Sequence, residues 1–388
     1  MTRVAIPPIH VHVPIPRLYL GTMTFGWSQT SAPVDETVAK AMVNKFITFN
    51  QKQKPSPSDS DSSTQHYIDT ARIYAGGATE PIVGATIADA ASYCDRDGHV
   101  DSLLLGTKAH PSQANGLSAT GIRQQFDASI EAMSRGVSVS SVAEYYLHQP
   151  DPNNSLLESL KCLNELVKEK KVQRVGMSNY HVSEVKRAFD LCQEHGLAKP
   201  TVYQGLYNPL NRMVESELLP LLKEHGCAFV AYNPLAAGLL TGKHINTRKS
   251  IDVKSGRFKD NQNYLPRFYT DDNFNAINLI QKACDEETEG ITMIEATFRW
   301  LLRHSALSGG EQDGILLGAS SLTQLDENLN ACLAGMEKGD LPVGVLKAFD
   351  DAWAITEKSA FPYWRSYSSD MPGGKDLDQG AAYSASKK

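Results

Sequence analysis

Short apolar or β-branched runs alternate along this chain with longer stretches whose apolar positions recur every three to four residues. The short runs predict strands at 17–21, 66–69, 101–107, 142–147, 172–176, 201–204, 228–232 and 314–317. Helical periodicity fills the gaps at 33–49, 79–92, 118–135, 155–170, 181–195, 214–225, 292–303 and 321–334. Eight strands therefore alternate with eight helices.

Such alternation implies parallel strands joined by right-handed crossovers. Eight units, with strands apolar on both faces, predict an α/β protein of the (β/α)8 TIM-barrel class. An open doubly wound sheet would carry a glycine-rich first turn, and no G-x-G-x-x-G occurs. A barrel needs about 250 residues, so the rest is decoration. Residues 52–65, rich in Ser, Pro and Asp, read as a disordered insertion, and 243–270 as a long polar loop. Two helices, at 271–289 and 343–358, are extra to the repeat, the second packing outside the barrel. Residues 1–365 are thus predicted as one domain, and 366–388 as a polar, flexible tail.

Charge narrows the function. Lys and Arg number 38 against 44 Asp and Glu, a net charge of −6, which makes nucleic acid a poor partner. No apolar run approaches the ~18–20 residues of a membrane span, and no charged n-region with an apolar h-region opens the chain. The six cysteines are dispersed without metal-ligand spacing. A soluble, cytoplasmic protein with no membrane partner and no metal is expected.

In a barrel the chemistry sits at the C-terminal ends of the strands. Asp69 and Tyr74 follow the second strand, Lys108 the third and His148 the fourth. A phenol near pKa 10 is a weak acid at neutral pH, and an adjacent ammonium lowers that value. Asp69 can hold Lys108 charged, making Tyr74 a general acid and His148 a donor that orients substrate. Singly, each has a bland reading as loop cap, solvated rim or cover of the barrel; four titratable groups at one mouth favour chemistry.

These residues resemble the aldo-keto reductase family over nearly the whole chain. Ile68-Asp-Thr-Ala-Arg-Ile-Tyr74 is similar to its Asp-to-Tyr motif, and Lys108 and His148 resemble the rest of its catalytic tetrad. Within the family the resemblance is closest to the aflatoxin-aldehyde (succinic semialdehyde) reductase branch, carried by 202–208, 232–243 and 318–328. It implies that Ser178, Asn179 and Gln204 hold a nicotinamide carboxamide and that Tyr232 stacks on the ring. It also implies that Asn233, Pro234, Leu235, Gly238, Leu240 and Lys243 line the pyrophosphate, with Ser320, Gln324, Glu327 and Asn328 at the adenosine end.

One departure matters. Many relatives place basic residues near Ser320 and at Gln324 to grip a 2′-phosphate, and both are uncharged here. Lys243 and Arg257 are the expected substitutes, so NADPH/NADP+ is favoured by resemblance. Arg365 lies near the position of an arginine that meets substrate carboxylates in the similar branch; a solvated tail residue is the equal alternative.

The expected function is NADPH-dependent reduction of a small-molecule aldehyde or ketone, with Tyr74 as acid and His148 orienting the substrate, in a protein that can form a homodimer as the similar branch does. The alternative is a cofactor-binding regulatory protein resembling potassium-channel β-subunits. A Schiff-base aldolase using Lys108 is a second rival.

Overall fold

The computed structural model describes residues 14–30, 32–53, 64–96, 99–100, 102–245, 258, 264–288 and 290–381. Eight parallel strands close into a barrel: β1 Arg17–Gly21, β2 Gln65–Asp69, β3 Ser102–Ala109, β4 Val142–Leu147, β5 Val172–Ser178, β6 Val202–Leu206, β7 Ala228–Tyr232 and β8 Gly314–Gly318. β1 pairs with both β2 and β8, which seals the sheet and leaves no edge. The predicted (β/α)8 class is the observed one.

The surrounding helices are α1 Glu36–Lys52, α2 Thr79–Cys94, α3 Ala119–Met133, α4 Leu156–Lys168, α5 Val182–His195 and α6 Leu218–Glu224. They continue with α7 Leu265–Phe268, α8 Asp271–Asp285, α9 Met293–Arg303, α10 Leu322–Glu337 and α11 Val343–Thr356. Asp35, Ser118, Ser155, Thr270, Thr292 and Ser321 each accept a first-turn amide, fixing where their helices begin. Each such cap is worth about 1 kcal/mol. The two extra helices, α8 and α11, pack against each other outside the repeat.

Several boundaries differ from expectation. β6 runs to Leu206, two residues past the predicted end, because Leu206 pairs with Tyr232 of β7. Lys52 closes α1 and Gln65 opens β2, so the margins of the expected 52–65 insertion are regular structure, while 54–63 lie outside the described residues. A small antiparallel pair, Asp95–Arg96 with His99–Val100, was not foreseen.

The largest correction concerns the tail. Residues 366–381 are not frayed. Ser368 N–H donates to Glu184 (2.9 Å) and Ser369 N–H to the Asp151 carbonyl (3.1 Å). The Asp370 carboxylate accepts from Ser155 Oγ (2.7 Å) and the Leu156 amide (2.9 Å) at the start of α4, and pairs with Arg187. A polar segment can dock this way because a helix N-terminus offers unpaired N–H groups and a positive dipole end. Residues 382–388 lie outside the described set.

Candidate active site

Parallel register builds the site floor. Asp69 of β2 lies opposite Gly106 of β3, one step below Lys108. Lys108 and Asp69 are both fully buried. Lys108 Nζ donates to both Asp69 carboxylate oxygens and to the Thr70 carbonyl, each at 2.7 Å. All three ammonium protons therefore have acceptors. Gln204 Nε2 adds a bond to Asp69 Oδ1 (2.9 Å), a position it reaches because β6 extends past it. Burial pushes the Lys108 pKa down and Asp69 pulls against that.

Tyr74 hangs over this pair from the loop after β2. The Lys108 ammonium sits 5.2 Å from the centre of its ring. The loop turns sharply through Ala75 (φ 48°), Gly76 (φ 63°) and Gly77 (φ 97°). Ala75 in the left-handed region costs roughly 1–2 kcal/mol, strain held beside a functional side chain. Arg72 fixes the turn: it pairs with the buried Glu80 and donates to the Gly77 carbonyl (3.0 Å), while Thr107 Oγ1 bonds Glu80 from the other side (2.7 Å). Glycine is favoured at 77, since its φ is positive and a Cβ there, 2.2 Å from Arg72 Nη2, would push the guanidinium aside.

One electrostatic expectation is overturned. The Tyr74 pKa is raised well above its ordinary value of 10.0, first by burial and then by the Asp69 charge. The Lys108 charge, matched at contact distance by Asp69, does not outweigh these effects. A phenol with a raised pKa stays protonated across neutral pH, which is the state a proton donor requires.

His148 sits edge-on to Tyr74, ring centres 5.8 Å apart, and edge-on to His110 at 5.0 Å. Burial first, then the neighbouring His110 and Lys108, drive its pKa well below 6.5, so the imidazole is neutral. Among the described residues its Nδ1 is buried without a partner. A buried bare lone pair costs less than a buried orphan N–H, so the proton belongs on Nε2. His110 was missed from the sequence. It lies two residues after Lys108, and the two-residue period of a strand was the available signal.

The expected cofactor residues fall into two groups. Ser178, Asn179, Gln204 and Tyr232 converge at the mouth. Asn179 (φ 63°) donates to the His148 carbonyl (2.8 Å) and Ser178 Oγ (3.0 Å) and accepts from the Tyr232 hydroxyl (2.8 Å). Ser178 Oγ, accepting from Asn179, keeps its own O–H to donate, and Tyr232 keeps a partly exposed ring. That donor set and flat face fit a primary carboxamide on an aromatic ring. Arg365 also reaches the mouth: its N–H bonds the Asn179 carbonyl (2.9 Å) and its guanidinium bonds Gln149 (3.1 Å). Its charge acts on Tyr74, Tyr232, His110 and His148.

The second group follows β7 and β8. Asn233, Ala236 and Ala237 have positive φ, and Pro234, Leu235, Gly238 and Leu240 share their tight double turn. Lys243 pairs with Glu327 (3.3 Å), joining this turn to α10. Gln324 Oε1 accepts from both Ser320 N–H and Oγ (2.9 Å each), and Asn328 donates to the Gly318 carbonyl (3.2 Å). Among the described residues a Cβ at Gly318 would meet nothing within 4 Å, so the end of β8 is open. Arg257 lies outside the described residues.

Residues 17–340 match the model of the Aldo/keto reductase family. The chain belongs to that family. Among similar aldo/keto reductases, aflatoxin B1 aldehyde reductase member 2 of Rattus norvegicus is 36% identical over 304 residues, 77% of this chain and 79% of the relative. Its Mus musculus namesake is 35% identical over 356 residues, 90% and 88% of the two chains. Aldo-keto reductase family 7 member A3 of Homo sapiens is 34% identical over 356 residues, 90% of this chain and 97% of the relative. Membership supports carbonyl reduction as the class of chemistry, and reductases of this family generally use a nicotinamide cofactor. No helix among the described residues is long and apolar enough to cross a membrane.

Proposed function

We propose that this aldo/keto reductase reduces an aldehyde or ketone to the alcohol with NADPH, Tyr74 being the proton donor. The observation that carries the reading is the Lys108 ammonium, held by three acceptors and 5.2 Å from the Tyr74 ring centre. When bound, the nicotinamide would supply hydride to the carbonyl carbon. Ser178 and Tyr232 would orient the carboxamide and ring, and the Asn233–Lys243 turn with α10 would hold the phosphates and adenosine.

The protein's part is geometry and a proton. Tyr74 Oη protonates the carbonyl oxygen as charge develops there, while neutral His148 donates from Nε2 to the same oxygen and fixes its angle. Proton loss from Tyr74 leaves a phenolate beside the Lys108 ammonium, a product state that the cation stabilises against the cost of burial. Three engaged protons leave Lys108 no lone pair for a Schiff base, which disfavours the aldolase reading. Arg365, with Gln149 at the rim, suits a carbonyl substrate that carries an anionic group.

The test is Tyr74→Phe. NADPH binding, followed by fluorescence titration beside NADH, should be retained, while turnover of an aldehyde panel including succinic semialdehyde falls by about 100-fold or more. Wild-type rates would remove Tyr74 from the acid role.

A further inference from the structure

A second buried carboxylate lies inside the barrel, and neither the tetrad nor the cofactor residues use it. Register carries a row around the strands from Asp69 through Gly106 to Glu144 and then Arg174. Glu144 is 2% exposed. Its Oε1 accepts from Tyr19 (3.1 Å) and Arg174 (2.9 Å), and its Oε2 from the Tyr146 hydroxyl (2.5 Å). Gly106 leaves the space between the two carboxylates empty: a Cβ there would lie 3.5 Å from Glu144 Oε2 and 3.7 Å from Asp69 Oδ1. One step up, Tyr146 is in register with Lys108, and its ring centre is 5.5 Å from Lys108 Nζ. The ammonium is therefore within cation–π reach of two phenol rings, Tyr74 at 5.2 Å and Tyr146 at 5.5 Å.

We propose that Glu144 and Tyr146 are positioning residues for the proton-donor site, holding Lys108 in place and protonated. Donating its proton toward Glu144 polarises the Tyr146 hydroxyl and enriches its ring, which strengthens the attraction for the ammonium. Glu144, although paired with Arg174, adds negative charge to the same barrel interior. The groups acting on Lys108 are Asp69, Glu144 and Glu80 as carboxylates, with Tyr74, Tyr146 and His148 around it. Those acting on Glu144 are Arg174, Tyr19, Tyr146 and Asp69, with Tyr67 and Arg17 beyond. Burial alone would favour a neutral Lys108 amine, and the carboxylates are what oppose it.

The inference rests on the proposed reductase reading only for its effect on catalysis, so the primary test reads the lysine itself. With 13Cε-labelled lysine, the NMR resonance absent from Lys108→Arg identifies Lys108, and its titration gives a midpoint. Glu144→Gln should lower that midpoint by about half a pH unit or more. Tyr146→Phe, which keeps the ring and the fold but loses the tie to Glu144, should lower it by less. In an active enzyme the basic limb of kcat/KM should fall in step. An unmoved midpoint in Glu144→Gln overturns the proposal. Should that variant not fold, an unmoved midpoint in Tyr146→Phe overturns it alone. A wild type with no carbonyl reduction would instead fail the reductase reading while leaving the midpoints measurable.

Discussion

The ring of Tyr146 lies across the backbone of Gly176: a Cβ on Gly176 would fall 2.3 Å from Tyr146 Cδ1 and 2.6 Å from Cε1. The two residues are register partners on β4 and β5, so neither can move aside without shifting a barrel strand. Gly176→Ala is expected to cost roughly 1–3 kcal/mol by overpacking. Urea denaturation checks the loss. An unchanged midpoint of unfolding would mean that the ring has room to turn.

Acid conditions should leave turnover intact further than an ordinary histidine would allow. The His148 pKa is driven well below 6.5 and that of His110 is lowered to about 4, burial being the first cause for both. Native histidines of this kind bind fewer protons than the unfolded chain, so their contribution to stability is present above the unfolded pKa and declines as pH falls below it. For catalysis, His148 keeps one protonation state through pH 6–7. The profile of log(kcat/KM) should be flat there. An acid limb centred near 6.5 would show that His148 titrates freely.

Lys108 should matter for folding as well as for turnover. Lys108→Met removes the cation from Asp69, which is 1% exposed and, among the described residues, would keep only Gln204 as a side-chain hydrogen-bond donor. Breaking a buried pair on one side costs about 3–5 kcal/mol. The double variant Lys108→Met/Asp69→Leu removes the stranded charge and should recover much of that loss. Chemical denaturation of both variants decides it: a double variant no more stable than the single one would mean that Asp69 is not a burden on its own.

The barrel was legible because each strand is a short apolar run and each helix shows its own period. Asp69, Lys108 and His148 were legible for the same reason, since they stand where those runs end. Gln204 was read as a strand end and proved to lie inside β6, because Gly205 and Leu206 extend the pairing where the sequence shows no further β-branched residue. Glu144 and Arg174 were passed over as members of apolar runs. Their meaning comes from register across neighbouring strands, which no local pattern encodes. The docked tail escaped notice because polar composition does not distinguish a solvated segment from one bonded to a helix start. The signal was Asp370, whose partners at 155, 156 and 187 are remote in sequence.

That tail carries the last prediction. Ser368 N–H donates to Glu184 Oε1 (2.9 Å), while Glu184 Oε2 is buried without a partner among the described residues. Burial first raises the Glu184 pKa to about 6, against the bonds from Ser368 and the charge of Arg187. A native carboxyl with a raised pKa binds its proton more tightly than the unfolded chain does. Stability should therefore fall as pH rises from about 4.5, the ordinary value, to about 6, and stay lower above that. The shift corresponds to roughly 2 kcal/mol at most. Glu184→Gln keeps an acceptor for Ser368 and removes the charge, so it should be more stable than wild type by about 1–2 kcal/mol at pH 7.5. The gain should vanish near pH 4.5, where both proteins carry a neutral side chain. Denaturation at the two pH values reads this directly. A variant less stable than wild type at pH 7.5 would mean that the charge on Glu184, through Arg187, holds the tail more strongly than burial opposes it.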